Sequence, residues 1–255
     1  MLLVVYAKKV DWEEVWKVIR DYNRVALLSA VGLVVVSYLI YGWDGLLARL
    51  MAKRQVMLVS FICYAFNLTL STWVGGIGMR YRLYSRLGLP GSTITRIFSL
   101  SITTNWLGYI LLAGGIFFAG IAKHRHMTIK GQKLVLPSWK FALAQMLISS
   151  VNWMVMGAII WLLLGQSVNY FFVLGVLLVS SIAGVIVHIP AGIGVLEAVF
   201  IALLAGEHTS KGSIIAALLA YRVLYYFIPL LLALICYLLL ESQAKKLRAK
   251  NEAAM

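Results

Sequence analysis

Apolar positions run almost unbroken along this chain, and the few interruptions are as informative as the runs. Stretches with at most one charge occupy 25–43, 55–74, 97–122, 141–164, 168–187 and 213–240. Each is close to or beyond the ~20 apolar residues that carry an α-helix across a bilayer. The runs are continuous and do not alternate, which predicts helices and excludes the strands of a membrane barrel. The expected fold class is all-α: a polytopic helical membrane protein with about six spans plus re-entrant or broken helices. Residues 1–24 read as an N-terminal juxtamembrane segment, 25–240 as one transmembrane domain, and 241–255 as a basic tail. Within 7–24, five basic and four acidic side chains mix with Val10, Trp12, Val15, Trp16, Val18 and Ile19. That pattern suits a short amphipathic helix at the interface or a solvated connector.

The sharpest interruption is Ile189-Pro190-Ala191-Gly192-Ile193-Gly194-Val195-Leu196-Glu197. Pro190 lacks a backbone donor and disfavours helix at Ile189. Gly192 and Gly194 permit a turn that other residues resist. The apolar run that resumes at Val195 ends near Ala205, too short to cross a bilayer. The pattern predicts a long span, a break inside the membrane, and a half-helix with unpaired N–H groups and a partial positive charge at its start. Transporters place ligand sites at such breaks. A loop at the membrane surface followed by an interfacial helix also accounts for the residues, and makes Glu197 a rim carboxylate.

A second glycine-rich segment, Gly75-Gly76-Ile77-Gly78-Met79-Arg80, opens a region that continues through Arg82, Arg86 and Arg96. If it is also a break, the two are related as an inverted repeat. No acidic residue occurs between Asp44 and Glu197. These arginines are therefore expected to meet water, lipid phosphate or Glu197. Arg matches phosphate oxygens in a two-pronged geometry that Lys cannot copy. A cytosolic loop obeying the positive-inside rule explains Arg86 and Arg96 equally well. Arg222 falls inside the last run, where a central charge costs ~2.5–3.5 kcal/mol on insertion scales. Glu197 is its expected partner, either in a functional site or in a lock between helices. Pro229 should kink the same run.

Composition and charge narrow the function. The chain is 62% hydrophobic and 13% charged, with net charge +14. No nucleic-acid partner is expected, because the basic residues lie between spans, where anionic lipid and the positive-inside rule account for them. The basic link 123–140 and the tail are expected in the cytoplasm, so 168–205 becomes a re-entrant hairpin entered from outside. If the 75–96 segment is a mirror-related hairpin, the crossings then fail to add up around 97–123. The opening apolar run is too short for a signal-peptide core. Cys63 and Cys236 read as small core residues. His124 and His126 are two apart with no third ligand near, so no metal or other cofactor is expected. No nucleophile–base pair stands at short spacing, so no enzymatic activity is expected.

The stretch from Asn67 through Gly75, Gly76 and Arg80, the Tyr-Ser-Arg-Leu-Gly run at 84–88, the Pro190-x-Gly192-x-Gly194-x-x-Glu197 motif and Arg222 resemble the family of the lysylphosphatidylglycerol synthase transmembrane region. That family includes the flippase half of the bacterial multiple peptide resistance factor, which moves aminoacylated phosphatidylglycerol between leaflets. The resemblance implies a multi-pass protein of the bacterial inner membrane that binds an anionic phospholipid headgroup in a polar cavity. Gly75, Gly76, Arg80, Pro190, Gly192, Gly194, Glu197 and Arg222 are the residues it implies for that site. It also implies a shortened chain, since members are usually longer. The start looks like the tail of a lost span, and the junction near Phe118 to Lys123 looks like the place of a missing loop and span. A non-transporting membrane partner of a lipid-synthesis enzyme, or a homo-oligomer, is consistent with the same residues, and an intramembrane lipid-modifying enzyme is a further alternative.

Overall fold

Helices begin where charges and caps permit and fill five of the six predicted apolar runs. The computed structural model describes residues 12–46, 53–70, 72–95, 126–129, 132–135, 139–187, 192–206 and 209–252. The run at 97–122, Pro190 and Arg96 lie outside the described residues.

Helix α1 (Trp12–Arg20) has Glu13 and Glu14 in its first turn and Lys17 and Arg20 in its last. Each charge complements the helix end where it sits. Val15 is buried against Ile215 and Ala216, so α1 is a packed amphipathic helix and not a solvated connector. The chain bends by 86° into the next helix, α2 (Arg24–Leu46). Asn23 Oδ1 accepts from the Val25 N–H at 2.9 Å and caps the start of α2. At the same corner, the Tyr22 hydroxyl donates to the Leu163 carbonyl at 2.7 Å. Helix α3 (Lys53–Thr69) follows, then a π-helical segment, Thr72–Gly78, and α4 (Met79–Arg86). The second half holds α5 (Trp139–Leu163), α6 (Tyr170–Val187), α7 (Val195–Leu204) and α8 (Lys211–Arg222). A second π-helical segment, Val223–Phe227, leads into α9 (Ile228–Glu252).

The described fold is all-α as expected, with one small addition. The basic link contains an antiparallel hairpin, β1 (His126–Ile129) and β2 (Gln132–Val135), with Ile129 opposite Gln132. Gly131 stands between the two strands in the sequence, and glycine is common between hairpin strands. The rest of the described fold is helical. Among the described residues one helix, running Lys211–Ala244 through the π segment, is by itself long and apolar enough to cross a membrane. Leu147–Leu163, Tyr170–Gly184 and Val195–Leu204 are apolar but shorter.

Helix α2 packs between α3 and α5, and α9 packs on α3. Ala30, Ile62, Ile159 and Ile160 on these helices, with Leu218 on α8 and Tyr225 in the second π segment, are fully buried in one core. Large apolar side chains such as Leu28, Phe171, Ile186 and Leu238 cover the outside, as a lipid-facing surface requires. A polar thread crosses the core. Ser37 Oγ donates to Asn152 Oδ1 at 2.5 Å and shares a hydrogen bond with the Tyr225 hydroxyl at 2.7 Å. The Tyr64 hydroxyl meets the same Tyr225 oxygen at 2.9 Å. Pro229 follows closely on the second π segment, inside a helix that continues from Lys211 to Ala244. A regular helix would have residue 229 donate to the Tyr225 carbonyl, but proline has no N–H. The Tyr38 hydroxyl donates to that carbonyl instead, at 3.0 Å.

Candidate functional site

Gly192 and Gly194 take φ of +58° and +85°, a region that a Cβ disfavours. They turn the chain so that α7 starts at Val195, with Glu197 in its first turn. The Gly194 N–H donates to Glu197 Oε2 at 2.8 Å. A carboxylate here satisfies one orphan donor and complements the positive end of the helix. From the last turn of α8, Arg222 Nε donates to Glu197 Oε1 at 2.7 Å. Its Nη2 donates to Glu197 Oε2 at 3.1 Å and to the Gly192 carbonyl at 3.3 Å. The pair is thus bidentate, the strong form of this contact. The Arg222 side chain is 9% exposed and that of Glu197 20%. The Tyr226 ring stands 5.8 Å from the guanidinium carbon, so its π-face adds to the stabilisation of the charge. Arg222 thereby ties the start of α7 and the glycine turn before it to the junction between α8 and the second π segment.

The sequence-predicted residues fall into two groups. Gly192, Gly194, Glu197 and Arg222 come together as described. Gly75, Gly76 and Arg80 stand apart from them. Gly75 lies in the first π segment, where an added Cβ would collide with the backbone of Phe66 and Asn67. Its role there is to let the segment lie against α3. Arg80 is close enough to Cys63 and Tyr84 for its charge to act on both. Asn67 Oδ1 is buried without a hydrogen-bond partner among the described residues.

One expectation is corrected. Two of the arginines after Gly78 do have a carboxylate. Arg82 and Arg86 reach Glu241 Oε1 on α9 at 3.7 and 3.2 Å, and Arg82 lies 5.7 Å from the Tyr237 ring centre. Sequence reasoning assigned 241 to the tail and missed it. The available signal was its position, an acid where the last apolar run ends and basic residues begin. Glu197 and Arg222 close on each other, and a separate cavity of about 720 Å³ on α2, α3 and 224–232 has neither in its lining.

Comparison with known proteins places this site in a family. Residues 116–233 match the family model described as the lysylphosphatidylglycerol synthase TM region. That segment contains Gly192, Gly194, Glu197 and Arg222 but not Gly75, Gly76 or Arg80. The chain is 83% identical to the inner membrane protein YbhN of Escherichia coli over 294 residues, covering all of this chain and 92% of that protein. Since this chain has 255 residues, that alignment leaves 39 positions with no counterpart here, the difference between 294 and 255. It is 27% identical to the protein slr0712 of Synechocystis over 86% of this chain and 80% of that one. A phosphatidylglycerol lysyltransferase of Staphylococcus haemolyticus is 28% identical over 35% of this chain and 11% of its own length. The chain belongs to the lysylphosphatidylglycerol synthase transmembrane-region family of membrane proteins.

Proposed function

We propose that this protein is a flippase-like lipid transporter that binds an anionic phospholipid headgroup within the bilayer and catalyses no covalent change. The observation that carries the reading is the buried, bidentate Glu197–Arg222 pair at the first turn of a helix too short to cross. Helix α7 has 10 residues, ~15 Å of rise against a hydrocarbon layer of ~30 Å. A closely held ion pair at such a depth is costly to bury and is a functional candidate by default. The staphylococcal relatives, named for an activity on phosphatidylglycerol, supply the lipid class.

In the proposed cycle, phosphate oxygens take one edge of the Arg222 guanidinium from Glu197, and N–H groups at the start of α7 add donors. Glu197 holds Arg222 in place between passages, or meets the amine of a cationic headgroup. Pro190, Gly192 and Gly194 shape this break; Gly75, Gly76 and Arg80 form the second, with Arg80 as a further phosphate contact. The acyl chains stay in lipid throughout. We infer about six crossings of a bacterial inner membrane with the basic C-terminus in the cytoplasm.

The test is transport by purified protein in vesicles of phosphatidylethanolamine and phosphatidylglycerol, read with fluorescent phosphatidylglycerol and an impermeant quencher. The wild type is expected to move the label between leaflets. Glu197→Gln and Arg222→Ala are expected to insert but not to transport, and Arg222→Lys, which keeps charge but loses the two-pronged geometry, to transport slowly. Wild-type rates in both of the first two variants would remove this site.

One observation favours a second reading, that the protein is a non-transporting membrane partner of a lipid-synthesis enzyme. Glu197 and Arg222 satisfy each other, as a lock between α7 and α8 would. Stable co-purification with such an enzyme, unaffected by Glu197→Gln, would decide for it.

A further inference from the structure

Away from the ion pair, α2, α3 and the 224–232 stretch enclose an open cleft of about 720 Å³, in the range of small-molecule sites. Val31, Val35 and Leu39 on α2 and Phe61 on α3 face Ile228 and Leu232 on α9. Tyr38 also lines the cleft, but its hydroxyl is committed to the Tyr225 carbonyl. Pro229, another lining residue, has no N–H to offer. Arg54 is the one charged residue in the lining. It is exposed, and no carboxylate among the described residues pairs with it.

The cleft has a direction. The Tyr38 ring lies 5.3 Å from that of Phe61 and 5.1 Å from that of Tyr64, which sets α2 and α3 side by side at that level. The two helices follow one another across a short connection and run antiparallel. Arg54 is seven residues before Phe61 and Val31 seven before Tyr38, so they stand ~10 Å to either side of that level. The cleft is therefore ~20 Å long, with a cation at one end and hydrocarbon over the remainder. That exceeds the ~15 Å of half a bilayer.

A small soluble anion has no use for apolar walls, and a neutral hydrocarbon has no use for Arg54. A molecule with one negative head and a long tail satisfies both. We propose that this cleft seats an acyl chain of an anionic phospholipid whose phosphate meets Arg54. This is a resident lipid site, separate from the Glu197–Arg222 pair and independent of whether that pair transports anything.

The experiment is native mass spectrometry of the full chain in detergent, titrated with dioleoylphosphatidylglycerol or dioleoylphosphatidylcholine. One phosphatidylglycerol is expected to be retained in preference to phosphatidylcholine. Arg54→Gln should weaken that retention about tenfold and abolish the preference, and Arg54→Lys should restore most of it. Val35→Trp, which fills the cleft from an exposed position, should lower retention of both lipids. Equal retention of the two lipids by the wild type would overturn the proposal, as would indifference to Arg54→Gln. Indifference to Val35→Trp would overturn it too, by showing that another segment or a second copy fills the cleft. An unchanged unfolding temperature for Arg54→Gln keeps these outcomes distinct from misfolding.

Discussion

At 192–197 and at 72–80 the chain places glycines close together near an arginine, yet the two regions use them differently. In the first, Gly192 and Gly194 have positive φ and bend the backbone into a turn. In the second, no glycine has positive φ. Gly75 is needed because the neighbouring backbone leaves no space for a Cβ. The arginines differ as well. Arg222 comes from another helix and closes on Glu197 in two prongs, away from solvent. Arg82 and Arg86 follow the segment on α4, more than half exposed, and share one oxygen of Glu241 at longer range. Glycine and arginine content alone does not separate a charged site from a close-packed π-helical segment. The partner across the fold and the degree of burial do.

Four measurements test that contrast, from the largest expected effect to the smallest. Glu197→Ala should cost about 3–5 kcal/mol, because it strands a buried cation and removes the α7 cap. Denaturant unfolding in detergent measures it, and Glu197→Ala with Arg222→Met should recover much of the loss because both charges leave together. Gly75→Ala should cost about 1–3 kcal/mol by forcing the π segment off α3, read in the same assay. Tyr225→Phe should cost about 1–2 kcal/mol, since the Ser37 and Tyr64 hydroxyls lose a buried partner. Glu241→Gln should cost at most ~1 kcal/mol and its effect should shrink with added salt, as exposed pairs do. If Glu241→Gln proved as damaging as Glu197→Ala, the distinction between the two regions would collapse.

The Glu197–Arg222 contact was legible in the sequence for a simple reason. One carboxylate and one arginine in apolar surroundings, 25 residues apart, have few other partners there. The turn before α7 was legible because Pro190, Gly192 and Gly194 leave few alternatives. The contact of Tyr225 with Ser37 bridges 188 residues, and that of Ser37 with Asn152 bridges 115. Nothing local marks hydroxyls that must meet across three helices. The role of Tyr38 at the Tyr225 carbonyl was half visible, since Pro229 announces an unfilled acceptor but not its donor. The hairpin at 126–135 was missed because its basic residues read first as a membrane-side link, although Gly131 was the available signal.

Helix α1 lies across the foot of α8, close enough at Gly212 that an added methyl would strike Glu14, with Val15 seated against Ile215 and Ala216. These contacts fix the start of α8 against α1. Arg222 stands ten residues beyond Gly212, ~15 Å up the lever. A lean of ~10° would swing it sideways by ~2.6 Å, about the length of one hydrogen bond. The register of Arg222 against Glu197 is therefore sensitive to an angle set at the far end of the helix.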